Sequence, residues 1–456
     1  MTVRIGVLAV LCGGLGAVAA FWAPSFPAWE IGMLGFLFFG LVMRRVLGFA
    51  HPLTWMTTLY SLYFLLGAQD WVEPSQRLGF RNYITTEPTL RLAFFGLLLF
   101  VIGALATAGV RRHVSVRRNN IDTRDTQAAR LARPAGALLS VVVLLGLLMS
   151  IRSGLPILHP AIRSEVNHGI WAACTYALVP AALLLTLIPT SIRRDLLIIG
   201  VYALLLLILA YRSPVILLIS TVLILRLLQG RITPRSVIVG VVGLVVFSAV
   251  LFSYRVSAAV EGGYFVPSGP LREVPFLYPL YSGFAREGFA VMARLQELVP
   301  ASVAAMHGKM QLSMFHFHTG ELSPRQYVYN IIYGTTVART TYTPTIIGGP
   351  YVDFGLLGVV SEMFVIGTVC GLLYRSAWRS DSPWRALGYS YGTALVVMAI
   401  HTGLLDDETL VIVPIMIVGS LFAARTVDAA GAMRRSRPAL AGAVARGNTW
   451  RPMGGR

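Results

Sequence analysis

Long blocks of apolar residues alternate with short polar connections along most of the chain. A helix needs about 20 apolar residues to cross a bilayer, and most blocks have that length or are slightly shorter. The pattern therefore predicts an all-α polytopic membrane protein with about twelve transmembrane helices. The two blocks around Tyr211–Pro214 are either two helices joined by a tight outer turn or one broken helix. The predicted spans are residues 5–21, 29–47, 52–68, 92–110, 135–151, 170–188, 196–210, 215–229, 236–253, 354–374, 386–401 and 409–424.

Composition supports the same class of protein. Of the 456 residues, 56% are hydrophobic and 13% are charged. In a soluble domain about a quarter of the residues are charged. These values exclude a soluble enzyme, a disordered protein and a secreted disulfide scaffold. The three cysteines, Cys12, Cys174 and Cys370, all lie in apolar blocks, which argues against disulfides and against a metal site.

The net charge of +18 is distributed unevenly across the predicted spans. With the N-terminus inside, 25 of the 38 Lys and Arg residues lie on the inner side, and 15 of the 20 acidic residues lie outside or within the membrane. This positive-inside bias predicts that both termini are cytoplasmic. The excess charge then reflects topology and attraction to anionic membrane lipids, and nucleic-acid binding is not expected. The first span resembles a signal peptide, although an uncleaved anchor is favoured.

The chain divides into four segments on this pattern. Residues 1–253 form an N-terminal set of transmembrane helices, and residues 354–424 form a C-terminal set. Between them, residues 254–353 form a large extracytoplasmic loop rich in aromatic residues, Pro and Gly, in which residues 286–299 have the spacing of an amphipathic helix. Residues 425–456 form a basic disordered cytoplasmic tail. Because so long a loop usually carries function, chemistry is expected on the extracytoplasmic face.

Four arginines on the predicted outer side are candidates for binding an anion: Arg212, Arg255, Arg286 and Arg339. An arginine at the membrane edge is costly unless it is paired or binds a ligand, and its fork geometry suits phosphate oxygens. The alternative is that each is an interfacial side chain, or that it pairs with a nearby acid, as Arg286 could with Glu287.

Histidine and acidic side chains are candidates for acid–base chemistry. His401 precedes the acidic turn Asp406–Glu408, which could also be an ordinary solvated turn. Asp353 closes the long loop, and Glu362 lies inside the next span, where an acidic residue is a functional candidate. No Walker A, H-E-x-x-H or D-x-D pattern occurs in the sequence, so neither a cofactor nor a metal is expected.

Residues 339–360, RTTYTPTIIGGPYVDFGLLGVV, provide a resemblance to a known family. This segment resembles the Thr-rich entry into a late span of oligosaccharide repeat-unit polymerases, the Wzy-type O-antigen polymerases. The number of predicted spans, the dominant outer loop ahead of the segment, and the Arg212-Ser213 turn agree with that family.

The resemblance implies a fold like that of GT-C-type membrane glycosyltransferases and a site in the bacterial inner (plasma) membrane. It implies that glycans on polyprenyl (undecaprenyl) diphosphate are joined by glycosyl transfer during polysaccharide biosynthesis for the cell envelope. A flippase and a chain-length regulator are implied as further partners. In this scheme the four arginines bind the diphosphate, and His401, then Asp353 or Glu287, serves the acceptor hydroxyl. An O-antigen ligase-like transferase, a transporter or lipid flippase, and a structural subunit remain as alternatives.

Overall fold

The computed structural model describes an assembly of helices, and no β-strand occurs among the residues that it describes. The predicted first span, the outer connection 152–169 and nearly all of the basic tail lie outside this part of the chain, whereas the large predicted loop 254–353 is described in part. The described residues are 28–69, 86–109, 126–151, 170–187, 191–208, 213–233, 235–243, 246, 250, 281, 285–313, 322–334, 342–379, 382–404 and 416–426.

The helices follow the apolar blocks of the sequence closely. The predicted block 52–68 is helical over Pro52–Ala68, and the blocks on either side of residues 209–212 are two separate helices. The main helices, in chain order, are α1 (Ala28–Leu47), α2 (Pro52–Ala68), α3 (Thr86–Ala108), α4 (Thr126–Ile151), α5 (Ile170–Thr186), α6 (Ile192–Ile208), α7 (Ser213–Leu228), α8 (Glu287–Leu298), α9 (Lys309–Leu312), α10 (Pro324–Tyr333), α11 (Thr345–Arg379), α12 (Pro383–Thr402) and α13 (Met416–Thr426). Residues 235–243 are also helical.

Helix α11 differs from the prediction at its start. The predicted span begins at residue 354, but the helix begins at Thr345 and contains a kink at Gly355, where φ is 63° and ψ is −146°. The turn signals Gly348, Gly349 and Pro350 therefore lie within a helical segment ahead of the span. Pro350 is the sixth residue of this segment, so it removes the hydrogen bond that an N–H at this position would donate to the carbonyl of Ile346.

Helices α3 and α11 pack closely against each other. A Cβ added to Gly367 would collide with the carbonyl of Phe100, and one added to Gly103 would collide with the α11 backbone. The Thr107 hydroxyl donates a hydrogen bond to the Thr368 carbonyl across the same contact, at 3.1 Å. Small residues that let two backbones approach are typical of helix packing in membranes.

Large apolar side chains are exposed on the outer faces of several helices. Phe38 on α1, Leu148 on α4, Leu197 on α6 and Leu357 on α11 are each between 65% and 74% exposed. Helices α3 and α11 are long and apolar enough to cross a membrane. Apolar surface on this scale is unusual in a soluble monomer, so the all-helical fold is consistent with a membrane protein. The count of twelve spans and the GT-C-like arrangement stay predictions.

A buried ion pair joins three helices at the end of the bundle that is predicted to be cytoplasmic. Arg226, at the end of α7, contacts the Asp195 carboxylate of α6 at 2.8 Å and donates to the side-chain oxygen of Gln229 at 2.6 Å. The same guanidinium donates to the carbonyl of Thr186, the last residue of α5. Arg226, which contributes to the positive-inside pattern, is therefore a packed side chain rather than a surface charge.

Candidate functional site

Four helix ends meet at the opposite end of the bundle: the carboxyl ends of α2 and α12 and the amino ends of α8 and α11. There the Tyr63 hydroxyl of α2 lies 3.3 Å from Nδ1 of His401 in the last turn of α12. The centres of the two rings are 6.1 Å apart. Tyr63 is almost completely buried and His401 is half-buried, so the histidine ring is held in place while part of it faces outward.

Helix α8 begins beside this pair with an arginine and a glutamate. Arg286 is 3% exposed, and its Nη1 donates to the carbonyl of Gly67 at the end of α2, at 2.8 Å. A cation is favourable there, because the carboxyl end of a helix carries partial negative charge. Glu287 is half-buried and close enough to Tyr63 to interact with it electrostatically. One positive, one acidic and one imidazole side chain thus gather around the end of α2.

The contact between α8 and α2 leaves no room for additional atoms. A Cβ at Gly288 would collide with the Tyr63 hydroxyl, and a Cβ at Gly67 would lie 2.7 Å from Cβ of Phe289. Glycine at these two positions allows α8 to lie directly against the Tyr63–His401 pair. The predicted amphipathic helix 286–299 is therefore confirmed as α8, and it packs against the helical bundle.

A narrow cleft lies next to the pair, between α9, the amino-terminal part of α11 and the end of α12. The space inside the cleft is about 10 Å³, which admits about one water-sized group. In the cleft, the side-chain amide of Gln311 donates a hydrogen bond to the Glu362 carboxylate. The residues lining the cleft are Met310, Gln311, Pro324, Pro344, Thr345, Ile346, Gly349, Pro350, Glu362, Gly403 and Leu404.

Asp353 is fully buried and holds α9 in place. Its two carboxylate oxygens accept hydrogen bonds from the backbone N–H groups of Met310, at 3.1 Å, and Gln311, at 2.9 Å. These donors belong to the first turn of α9, where a carboxylate satisfies N–H groups that have no partner within the helix. The carboxylate of Asp353 therefore contacts α9, whereas His401 contacts α2.

The structure brings three of the seven predicted site residues together, namely Arg286, Glu287 and His401. Asp353 lies at α9, and Arg212, Arg255 and Arg339 lie outside the described residues. Tyr63 was not predicted, because it sits within an apolar block. The available signal was that a tyrosine in such a block needs a partner for its hydroxyl. No cluster of three or more metal-ligating side chains occurs among the residues described.

This arrangement can perform two kinds of chemistry. A half-buried imidazole fixed by a tyrosine hydroxyl can accept a proton from a bound substrate. A guanidinium beside it can stabilise negative charge that develops on a leaving group. Both groups lie at one end of an apolar helical bundle.

The comparisons with known proteins agree with this setting. A family model described as "Putative O-antigen polymerase" matches residues 48–413, which is most of the chain and includes all seven predicted site residues. No curated protein and no solved structure matches the chain. The matched family is one of integral membrane proteins of polysaccharide biosynthesis, which fits the apolar helices described above. The chain belongs to the O-antigen polymerase family.

Proposed function

We propose that the protein joins oligosaccharide repeat units, each carried on polyprenyl diphosphate, by glycosyl transfer at the extracytoplasmic face of the bacterial inner membrane. The observation that supports this most strongly is the meeting of His401, Tyr63, Glu287 and Arg286 where four helix ends converge. The charge distribution predicts that this end of the bundle is extracytoplasmic. A flipped lipid-linked unit would present its diphosphate and first sugar at that level.

In the proposed reaction a hydroxyl of the acceptor sugar attacks the anomeric carbon of the donor. A new glycosidic bond forms, and the bond from the anomeric carbon to the diphosphate oxygen breaks. The electron pair leaves with polyprenyl diphosphate, and the hydroxyl proton passes to His401. Tyr63 fixes the imidazole ring through the contact at 3.3 Å, so that one ring nitrogen faces the acceptor. Glu287 is the alternative acceptor of the proton.

Arginine side chains stabilise the charge that develops on the departing diphosphate. Arg286 is already ordered against the carbonyl of Gly67, so little reorganisation is needed when the charge appears. Arg212, Arg255 and Arg339 are proposed to share this role. Asp353 instead supports the site, because both of its carboxylate oxygens are occupied by the backbone of α9. A flippase would supply the substrate, and a chain-length regulator would limit the polymer.

A comparison of two arginines on α8 tests the proposal. Arg286→Ala and Arg294→Ala each remove one guanidinium, but Arg294 is more than a third exposed and pairs with Glu297 at 2.7 Å. Each variant would be expressed in a strain that lacks the native protein, and surface glycan and lipid-linked intermediates would be analysed. We expect Arg286→Ala to reduce polymer synthesis about a hundredfold and to cause single lipid-linked repeats to accumulate. Arg294→Ala should behave as wild type.

The same strain separates the alternatives. If the strain without the protein retains polymer of normal length that stays lipid-linked, the protein is a ligase-like transferase and the proposal is wrong. If its surface glycan and lipid intermediates are both normal, a transporter becomes the better explanation. If both arginine variants are equally active at equal expression, Arg286 does not bind the diphosphate.

A further inference from the structure

Glu362 is an acidic side chain that the proposed reaction does not use. It lies in the second part of α11, about 10 Å along the helix from the kink at Gly355. Its carboxylate is half-buried and accepts a hydrogen bond from the side-chain amide of Gln311. Gln311 is itself positioned by Asp353, which accepts its backbone N–H at 2.9 Å. An acid placed in an apolar span and oriented by two further polar residues indicates a functional role.

Thr345 is a second unusual residue on the same cleft. It is 1% exposed and its φ angle is 61°, which is rare for a β-branched side chain. Its hydroxyl has no hydrogen-bond partner in the described part of the chain. A buried hydroxyl without a partner is unfavourable, and so is this backbone conformation. Contacts among the described residues compensate neither the buried hydroxyl nor the positive φ angle of Thr345. This points to a ligand that supplies the missing hydrogen bond.

Both residues belong to one cleft that adjoins the proposed catalytic site. The remaining walls are formed mostly by proline, glycine and apolar side chains, so only a few polar groups face the space between them. Gly403 in the wall comes two residues after His401 in the chain. The Thr345 methyl group lies only 3.2 Å from where a Cβ of Gly288 would be, on the helix that covers Tyr63. Thr345 therefore lies near Tyr63 and lines the same cleft as Glu362.

We propose that this cleft binds one hydroxyl of the acceptor sugar, with Thr345 and Glu362 as its hydrogen-bond partners. A sugar hydroxyl both donates and accepts, which matches a threonine hydroxyl beside a carboxylate and an amide. A carboxylate would repel the diphosphate, and polar groups are unfavourable for the prenyl chain. The narrow space admits one hydroxyl-sized group, so the rest of the sugar ring would lie outside the cleft. This inference rests on the proposed polymerase function.

The test uses the purified full-length protein and separates donor from acceptor. Native polyprenyl-diphosphate repeat units serve as the donor, at saturating concentration when KM for the acceptor is measured and at varied concentration when KM for the donor is measured. The probe for the acceptor is the lipid-free repeat-unit oligosaccharide, released from the same intermediates by mild acid. Thr345→Val keeps the branched shape and removes the hydroxyl, and Glu362→Gln removes the charge. Ser361→Ala is the matched control, since Ser361 is exposed and its hydroxyl bonds only to carbonyls of its own helix, at 2.8 and 3.1 Å.

We expect Thr345→Val and Glu362→Gln each to raise KM for the lipid-free acceptor about three- to tenfold, as the loss of one hydrogen bond would, with KM for the donor unchanged. Thr345→Val should not lower the melting temperature, because it replaces an unpaired buried hydroxyl. An unchanged acceptor KM in Thr345→Val, or a rise in the donor KM alone, would overturn the proposal. If the wild-type protein forms no polymer, the proposed function fails first, which distinguishes the two failures.

Discussion

At the scale of single residues, the contact between Tyr63 and His401 makes the sharpest prediction about catalysis. His401→Ala should lower the rate of polymer synthesis by a factor of about 10² to 10⁴, which is the usual contribution of a general base. Tyr63→Phe should lower it less, because the imidazole remains while the hydrogen bond that orients it is lost. The measurement is the initial rate with lipid-linked repeat units, using protein quantified in the same membranes.

The relative size of the rate losses in Tyr63→Phe and His401→Ala tests the proposed roles of the two residues. If Tyr63→Phe is as severe as His401→Ala, then Tyr63 acts on the substrate itself and not through the histidine. If His401→Ala keeps wild-type activity while Glu287→Gln loses it, the proton acceptor is Glu287. Sequence patterns identified His401 from its place beside an acidic turn but gave no reason to connect it with Tyr63, since the two residues are 338 positions apart.

At the scale of helices, the seam between α3 and α11 should be intolerant of added volume. Gly367→Ala places a methyl group against the carbonyl of Phe100, and we expect a loss of about 1–3 kcal/mol in stability. Gly419→Ala on α13 is the control, because nothing lies within 4 Å of its added Cβ, and it should be neutral or slightly stabilising. Thermal unfolding of the two proteins in the same detergent measures the difference. Equal melting temperatures of the two variants would contradict close packing of α3 against α11 at Gly367.

The buried ion pair at the opposite end predicts a different pattern. Arg226→Ala leaves the Asp195 carboxylate buried without its cation and should destabilise the protein by about 3–5 kcal/mol. Arg226→Met combined with Asp195→Leu removes both charges and should recover most of that loss. Thermal unfolding of the single and double variants measures the difference in stability between them. A double variant as unstable as Arg226→Ala would show that packing, and not the unpaired charge, is the cause.

Helix positions were predictable from the sequence because apolar blocks must be helical when backbone groups have no water to bond. The start of α11 was not predictable from the sequence, because Gly348, Gly349 and Pro350 taken on their own indicate a turn. Their helical conformation depends on contacts with residues that are distant in the sequence. For example, Gly348 packs close to the side chain of Met292 in α8. The same limit applies to the candidate site. Residue types indicated His401 and Arg286 separately, but only the fold brings both to the end of α2.

At the scale of the whole molecule, a single lysine allows the orientation of the chain to be tested. Lys309 is the one Lys in the sequence, and it is exposed in the structure at the start of α9. The charge pattern predicts that α9 lies on the extracytoplasmic side, together with the cleft and His401. A membrane-impermeant amine reagent should therefore label Lys309 in right-side-out vesicles and not in inside-out vesicles. Mass spectrometry of the peptide that contains Lys309 reads out the modification.

Two controls make this labelling decisive. Lys309→Arg keeps the charge and removes the reactive amine, so any labelling that remains comes from another amine. Detergent-opened vesicles of both orientations should label Lys309 equally, which shows that access and not reactivity sets the difference. Because α9 is fixed to α11 through Asp353, labelling of Lys309 reports the side of the membrane on which the cleft opens. Labelling only in inside-out vesicles would place the cleft in the cytoplasm, away from any flipped donor, and the proposed reaction would then be impossible at this site.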